Sequence, residues 1–225
     1  MNVTDILNDK LVELESLTKM FTVCNMEGNV LIKSDHGFDT EVRKSVLCAI
    51  SAVLEGILLC NLTNGEDVIT ISGASDEAVK LFVQLAHLTA HDCASRDVYH
   101  HKTLADAISS HTDCIMLLHK YEAYGVAEYV KQVLQQEPRV AAIVSMAEFF
   151  PEDTEWMTSS ILSTVLDHFC ASHITSDTAV QSLSVVPPAL LTRLVVFVAY
   201  AGRRNMVDKI HVFRPAIDDR LFHVQ

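Results

Sequence analysis

The chain of 225 residues predicts an α+β fold, with a few short strands in its N-terminal half and helices alone from about residue 139. Two kinds of pattern point there. Val30-Leu31-Ile32-Lys33 and Val68-Ile69-Thr70-Ile71-Ser72 are short β-branched runs bounded by Gly, Asn and Asp, as strands are. Elsewhere apolar residues return at spacings of three and four, the period of a helix with one buried face. Pro138 and Pro187-Pro188 mark boundaries between helical stretches.

Thr4 is placed to cap a first helix, Asp5 to about Lys19, whose Leu7, Leu11, Leu14 and Leu17 form an apolar stripe. Phe21-Thr22-Val23-Cys24-Asn25 and Val30-Leu31-Ile32-Lys33 flank Met26-Glu27-Gly28-Asn29, which reads as a hairpin turn. A helical run follows from about Thr40 to Cys60, with Gly56 as its natural breaking point. After the loop 61–67, the strand at 68–72 and the turn Gly73-Ala74-Ser75 lead into a helix with Ala78, Phe82, Val83, Leu85 and Ala86 on its apolar face. Residues 89–109 are rich in His and Asp with weak periodicity, and read as an irregular loop. A helix from Thr112 should turn Ile115, Met116, Leu118, Tyr121 and Tyr124 inward and end at Gly125, with the next at Val126 to Gln135. Further helices are expected at 139–149, 154–171, 176–183 and 188–201, the last started by its prolines.

Bulk properties exclude some classes of function. Acidic residues outnumber basic ones 29 to 17, for a net charge of −12, which argues against nucleic-acid binding because phosphate contacts need a basic face. The longest apolar candidate, Ala189 to Ala201, is too short to span a bilayer and contains Thr192 and Arg193. The polar, acidic start gives no reason to expect a secretory signal. The 6 cysteines are widely spaced without a CxxC pair, so they are expected to be reduced thiols in a cytoplasmic or nuclear protein.

The segment 42–58 carries a resemblance. Arg43-Lys44, Val46-Leu47, Ala49, Ile50-Ser51, Leu54 and Ile57-Leu58 follow the strand-to-helix signature of the BTB/POZ family. Ile69-Thr70-Ile71 through Phe82 looks like that family's third strand and helix. Leu117-Leu118-His119-Lys120-Tyr121 with Tyr124-Gly125-Val126 and Tyr129-Val130 resembles its closing helix pair. The helices beyond resemble the BACK-type extension. The chain departs from the pattern at Arg43, where the family has His, at Ile50 for Arg and at Leu54 for an aromatic.

The resemblance implies a small β-sheet flanked by helical hairpins and an all-α extension. The corresponding division is an N-terminal helix at 1–19, the BTB/POZ domain at 20–136, the extension at 137–202 and a tail at 203–225. It also implies a non-enzymatic interaction module without a cofactor, a homodimerising scaffold or adaptor. Its dimer interface would draw on Leu7, Leu11, Leu14, Val46, Leu47, Ile50, Val53 and Leu54, and its partner-binding candidates are Leu104, Asp106, His111 and Tyr121. The narrower expectation is an adaptor for a cullin-type ubiquitin ligase. Members that bind cullins carry a hydrophobic-x-acidic motif before the closing helices. Ser110-His111-Thr112 stands in that place, and Leu104-Ala105-Asp106 has the pattern but comes earlier.

The alternative is a zinc protein or metal-dependent enzyme built on His87, His91 and Cys93. On a helix, His87 and His91 would share one face at i and i+4, as zinc ligands require. The helix is expected to end near Thr89, which favours a solvated histidine-rich loop. No spacing singles out a Cys/His nucleophile pair, and no glycine-rich phosphate loop is present.

Overall fold

In the computed structural model, residues 27–64, 67–90, 98–171 and 186–201 are described. The chain divides into two compact units, Met1–Cys93 with Lys120–Val126, and Ala94–His119 with Ala127–Gln225. The 136/137 boundary expected from the sequence lies inside the second of these. The architecture is α+β: a small mixed sheet in a mainly helical chain.

In the first unit, β1 (Asn29–Ser34) and β2 (Asp39–Arg43) run antiparallel, with Val30 opposite Val42 and Ile32 opposite Thr40. β3 (Val68–Ile71) lies parallel on the other side of β1, giving the order β2-β1-β3. The period of two sends Val30, Ile32, Val42, Ile69 and Ile71 into the interior, each no more than 3% exposed. The turn between β1 and β2 is built by Ser34, whose Oγ accepts the Phe38 N–H at 3.0 Å, with Gly37 at φ 110°. The described residues hold a hairpin that turns at 35–38, while the hairpin expected about 26–29 rests on the strand Phe21–Asn25, which lies outside the described residues.

The expected helix from Thr40 to Cys60 is replaced by a strand and two helices. Residues 40–43 belong to β2, because Thr40 and Val42 find partners on β1 and local helical preference yields to that pairing. α1 (Lys44–Ile50) and α2 (Ala52–Asn64) follow, and the break falls at Ser51 rather than Gly56. Ser51 is extended, with φ −155° and ψ 121°, and its Oγ accepts the Leu54 N–H at 3.0 Å, which caps α2. Gly56 sits inside α2, where nothing requires a break.

α3 (Asp76–Ala90) starts at Ser75, whose Oγ accepts the Ala78 N–H at 3.3 Å, and Asp76 and Glu77 lie in its first turn. It packs on α1 and buries Ala78, Val79, Leu81, Phe82, Val83, Leu85 and Ala86. Leu47, Leu54 and Leu58 from the helical pair complete this core.

The second unit holds α4 (Val98–Ser110), most of α5 (Asp113–Lys120) and α6 (Tyr124–Gln136), α7 (Val140–Phe149), α8 (Ser159–Ala171) and α9 (Pro188–Ala201). The predicted loop over 89–109 is a helix from 98. Leu104, Ala105 and Ile108 give it a buried stripe, which its His- and Lys-rich start hides from the sequence. α4 packs on α7, and α7, α8 and α9 pack on one another. α5 ends at Lys120, not Gly125: Glu122 takes φ 51°, the left-handed turn that stops a helix. Tyr121 is buried as expected, but Met116 is half-buried and Tyr124 is 57% exposed. Pro188 opens α9 as its fixed φ allows. Residues 154–158 are a turn rather than the start of α8, and the expected helix at 176–183 lies outside the described residues.

Candidate functional site

The residues expected to form an interface are placed as follows. Leu7, Leu11 and Leu14 lie outside the described residues. Val46, Leu47, Ile50 and Leu54 point into the first unit's core, at 2%, 0%, 7% and 0% exposure, and Val53 is half-buried. Side chains so enclosed hold their own fold together and leave little surface to a partner. Tyr121 belongs to the first unit, where its ring lies 5.9 Å from that of Phe82 and Lys120 stands over it at 5.4 Å. Burial pushes its hydroxyl pKa up, with the charge of Asp35 adding to the effect.

Leu104, Asp106 and His111 belong to the second unit. Leu104 is 8% exposed and packs inward, while Asp106 is exposed and accepts from Arg139 Nε at 2.7 Å. His111 is half-buried just beyond α4, where its N–H continues the helical ladder to Ala107 C=O at 3.0 Å. The hydrophobic-x-acidic triplet is thus a helical segment with its Leu inside and its Asp paired to Arg139.

Of the zinc candidates, His87 is half-buried in the last turn of α3, and His91 and Cys93 lie outside the described residues. Among the described residues, no group of three or more His, Cys, Asp or Glu is arranged to hold a metal. Cys114 is buried, and burial with the charge of Asp113 pushes its thiol up to about 12. Burial and Glu55 also raise Cys48.

Three polar groups whose distant partners the sequence does not reveal organise the elements around these residues. Ser51 Oγ donates to the Tyr121 C=O while capping α2, so one buried hydroxyl joins the helical pair to the segment after α5. Lys44, at the start of α1, has a side chain only 6% exposed and reaches Asp67 at 2.6 Å, beside β3. In the second unit, Lys131 on α6 has a side chain 4% exposed. It donates to Glu128 at 2.5 Å and to Asp153, and lies 5.8 Å from the Phe150 ring. Burial alone would lower its pKa, but the hydrogen bonds to Asp153 and Glu128 outweigh it and hold the ammonium above its ordinary range.

The turn between α7 and α8 is fixed from several sides. Gln135 Nε2 donates to Trp156 C=O at 3.1 Å, Trp156 Nε1 to Asp153 C=O at 3.1 Å, and Arg193 Nε to Thr154 Oγ1 at 3.0 Å. His101, 7% exposed, sets Nδ1 2.5 Å from Gln136 Oε1, while its Nε2 has no hydrogen-bond partner among the described residues.

Apolar surface remains. Leu59, Val68 and Leu88 are each 37–39% exposed in the first unit, and Val196 of α9 is 59% exposed in the second. No described helix is long and apolar enough to cross a membrane. No family model, curated protein or solved structure matches the chain.

Proposed function

We propose that the chain is a protein–protein interaction module of the BTB/POZ type, a homodimerising scaffold or adaptor acting in the cytoplasm or nucleus without catalysis of its own. The observation that carries this reading is the order of elements in the first unit. A β-hairpin leads into a helical pair, a third strand returns parallel to the first, and a helix follows it. The residues of the family-like signature sit at the joints of that order. Lys44 and Ser51 anchor the helical pair, while Leu47 and Leu54 fill the core beneath it. A hairpin so secured by its own chain would present its half-buried and exposed residues, Val53 and Leu59 among them, to a second copy together with the N-terminal leucine stripe.

Sedimentation at micromolar concentration tests the dimer, with Leu11→Glu and Leu14→Glu expected to shift the wild-type dimer to a folded monomer. A wild-type chain that is strictly monomeric ends the homodimer reading. Pull-down with a cullin scaffold tests the adaptor role separately. Asp106→Ala should weaken capture if Leu104-Ala105-Asp106 serves as the contact motif, and failure of the wild-type chain to be captured removes the cullin.

A further inference from the structure

We propose that Thr154 is a phosphoacceptor whose phosphate is received by Arg193, fastening α9 to the turn between α7 and α8. The starting point is an imbalance of charge. Among the described residues, the buried or half-buried cations Lys44, Lys131 and Arg139 each bond a carboxylate. Arg193 is half-buried as well, yet its Nε–H goes to a neutral hydroxyl, Thr154 Oγ1 at 3.0 Å, and no carboxylate of the described residues pairs with it. This happens beside Glu152, Asp153 and Glu155, in a chain with 12 more acidic than basic residues. Asp153 is committed to Lys131, while Glu152 and Glu155 point to solvent.

Thr154 is half-buried in a turn without helix or strand, between half-buried Asp153 and exposed Glu155. Acidic side chains two and one positions before it and one after it are the surroundings that an acidophilic serine/threonine kinase selects. In the transfer, Thr154 Oγ attacks the γ-phosphorus of ATP and the bond from that phosphorus to the bridging oxygen breaks. ADP leaves, and the hydroxyl proton passes to the kinase's carboxylate base. The product carries close to two negative charges and three acceptor oxygens within reach of a planar guanidinium. Glu152 and Glu155 oppose it only weakly, because exposed charges are screened by water and salt. The half-buried pair with Arg193 is screened less, so the new contact outweighs the repulsion and the turn is held more firmly.

The test is to treat the full chain with an acidophilic serine/threonine kinase and ATP, map the phosphate by mass spectrometry, and measure thermal midpoints. Phosphate is expected on Thr154 and absent from that peptide in Thr154→Val. The midpoint should rise by about 2–4 °C in the wild type, the size that one new charge-assisted pair gives a chain of this length. The rise should vanish in Arg193→Gln and shrink in Arg193→Lys, which keeps the charge but loses the fork. If Arg193→Gln does not fold, the Arg193→Lys comparison stands in its place. The proposal is overturned by phosphate only on Thr158, Ser159 or Ser160, by none at all, by a lowered midpoint, or by an equal rise in the Arg193 variant.

Discussion

Ser51 does the work of two groups, and a single atom separates it from alanine. Its oxygen accepts the Leu54 N–H and its proton goes to the Tyr121 carbonyl, both in a buried setting. Ser51→Ala removes the cap of α2, worth about 1 kcal/mol. It also leaves a buried carbonyl without a partner, a further loss of about 1–3 kcal/mol. The expected result is a fall of about 2–4 kcal/mol in unfolding free energy, read as a lower urea midpoint. An unchanged midpoint would show that water replaces the hydroxyl at no cost. In the sequence Ser51 appears only as a polar gap in an apolar seam, which marks a break without naming its partner 70 residues away. Lys44 and Lys131 were invisible for the same reason. Asp67 and Asp153 lie 23 and 22 residues along the chain, beyond the reach of any local pattern, and of their contacts only that of Lys131 with Glu128 has a local spacing.

Elements with a strong local pattern were legible, β1 and β3 among them, while β2 and α4, which need a neighbouring strand or a covering helix, were not. The apolar face of α3 and the proline start of α9 read correctly because each signal is local. Residues 40–43 became a strand because β1 lies beside them, which the helical spacing downstream of Val42 conceals. In α4, three inward residues are enough once α7 covers them, but they are too few to stand out among His, Lys and Thr. The candidate contact motif on α4 separates along the same line. Leu104→Ala should cost about 2–3 kcal/mol by emptying a packed site. Asp106→Ala should cost no more than about 1 kcal/mol, because its bond to Arg139 is largely solvated. Denaturant midpoints of the two variants check this, and near-equal losses would mean that Leu104 is not packed as described.

At the scale of the whole fold, the shifted groups among the described residues point in one direction, towards loss of stability in alkali. Lys131 is held above its ordinary value of 10.5, so its contribution is complete below that pH and fades as pH rises through the raised value. Tyr121, Cys48 and Cys114 are raised by burial, the last from 9.0 to about 12. For such an acid the unfolded chain loses its proton first. Between pH 9 and 12 the unfolded state therefore binds fewer protons than the native one, and stability falls as pH rises. At pH 10 the unfolded form gains about 1–1.5 kcal/mol from Cys114 alone. Urea titrations at pH 7.5 and pH 10 should show the wild type losing at least that much. Cys114→Ala starts from a lower stability because it leaves a small cavity, but it should lose about 1 kcal/mol less over the same interval. Equal losses in the two proteins would mean that Cys114 ionises as readily in the native chain as in the unfolded one, and that α5 does not shelter it.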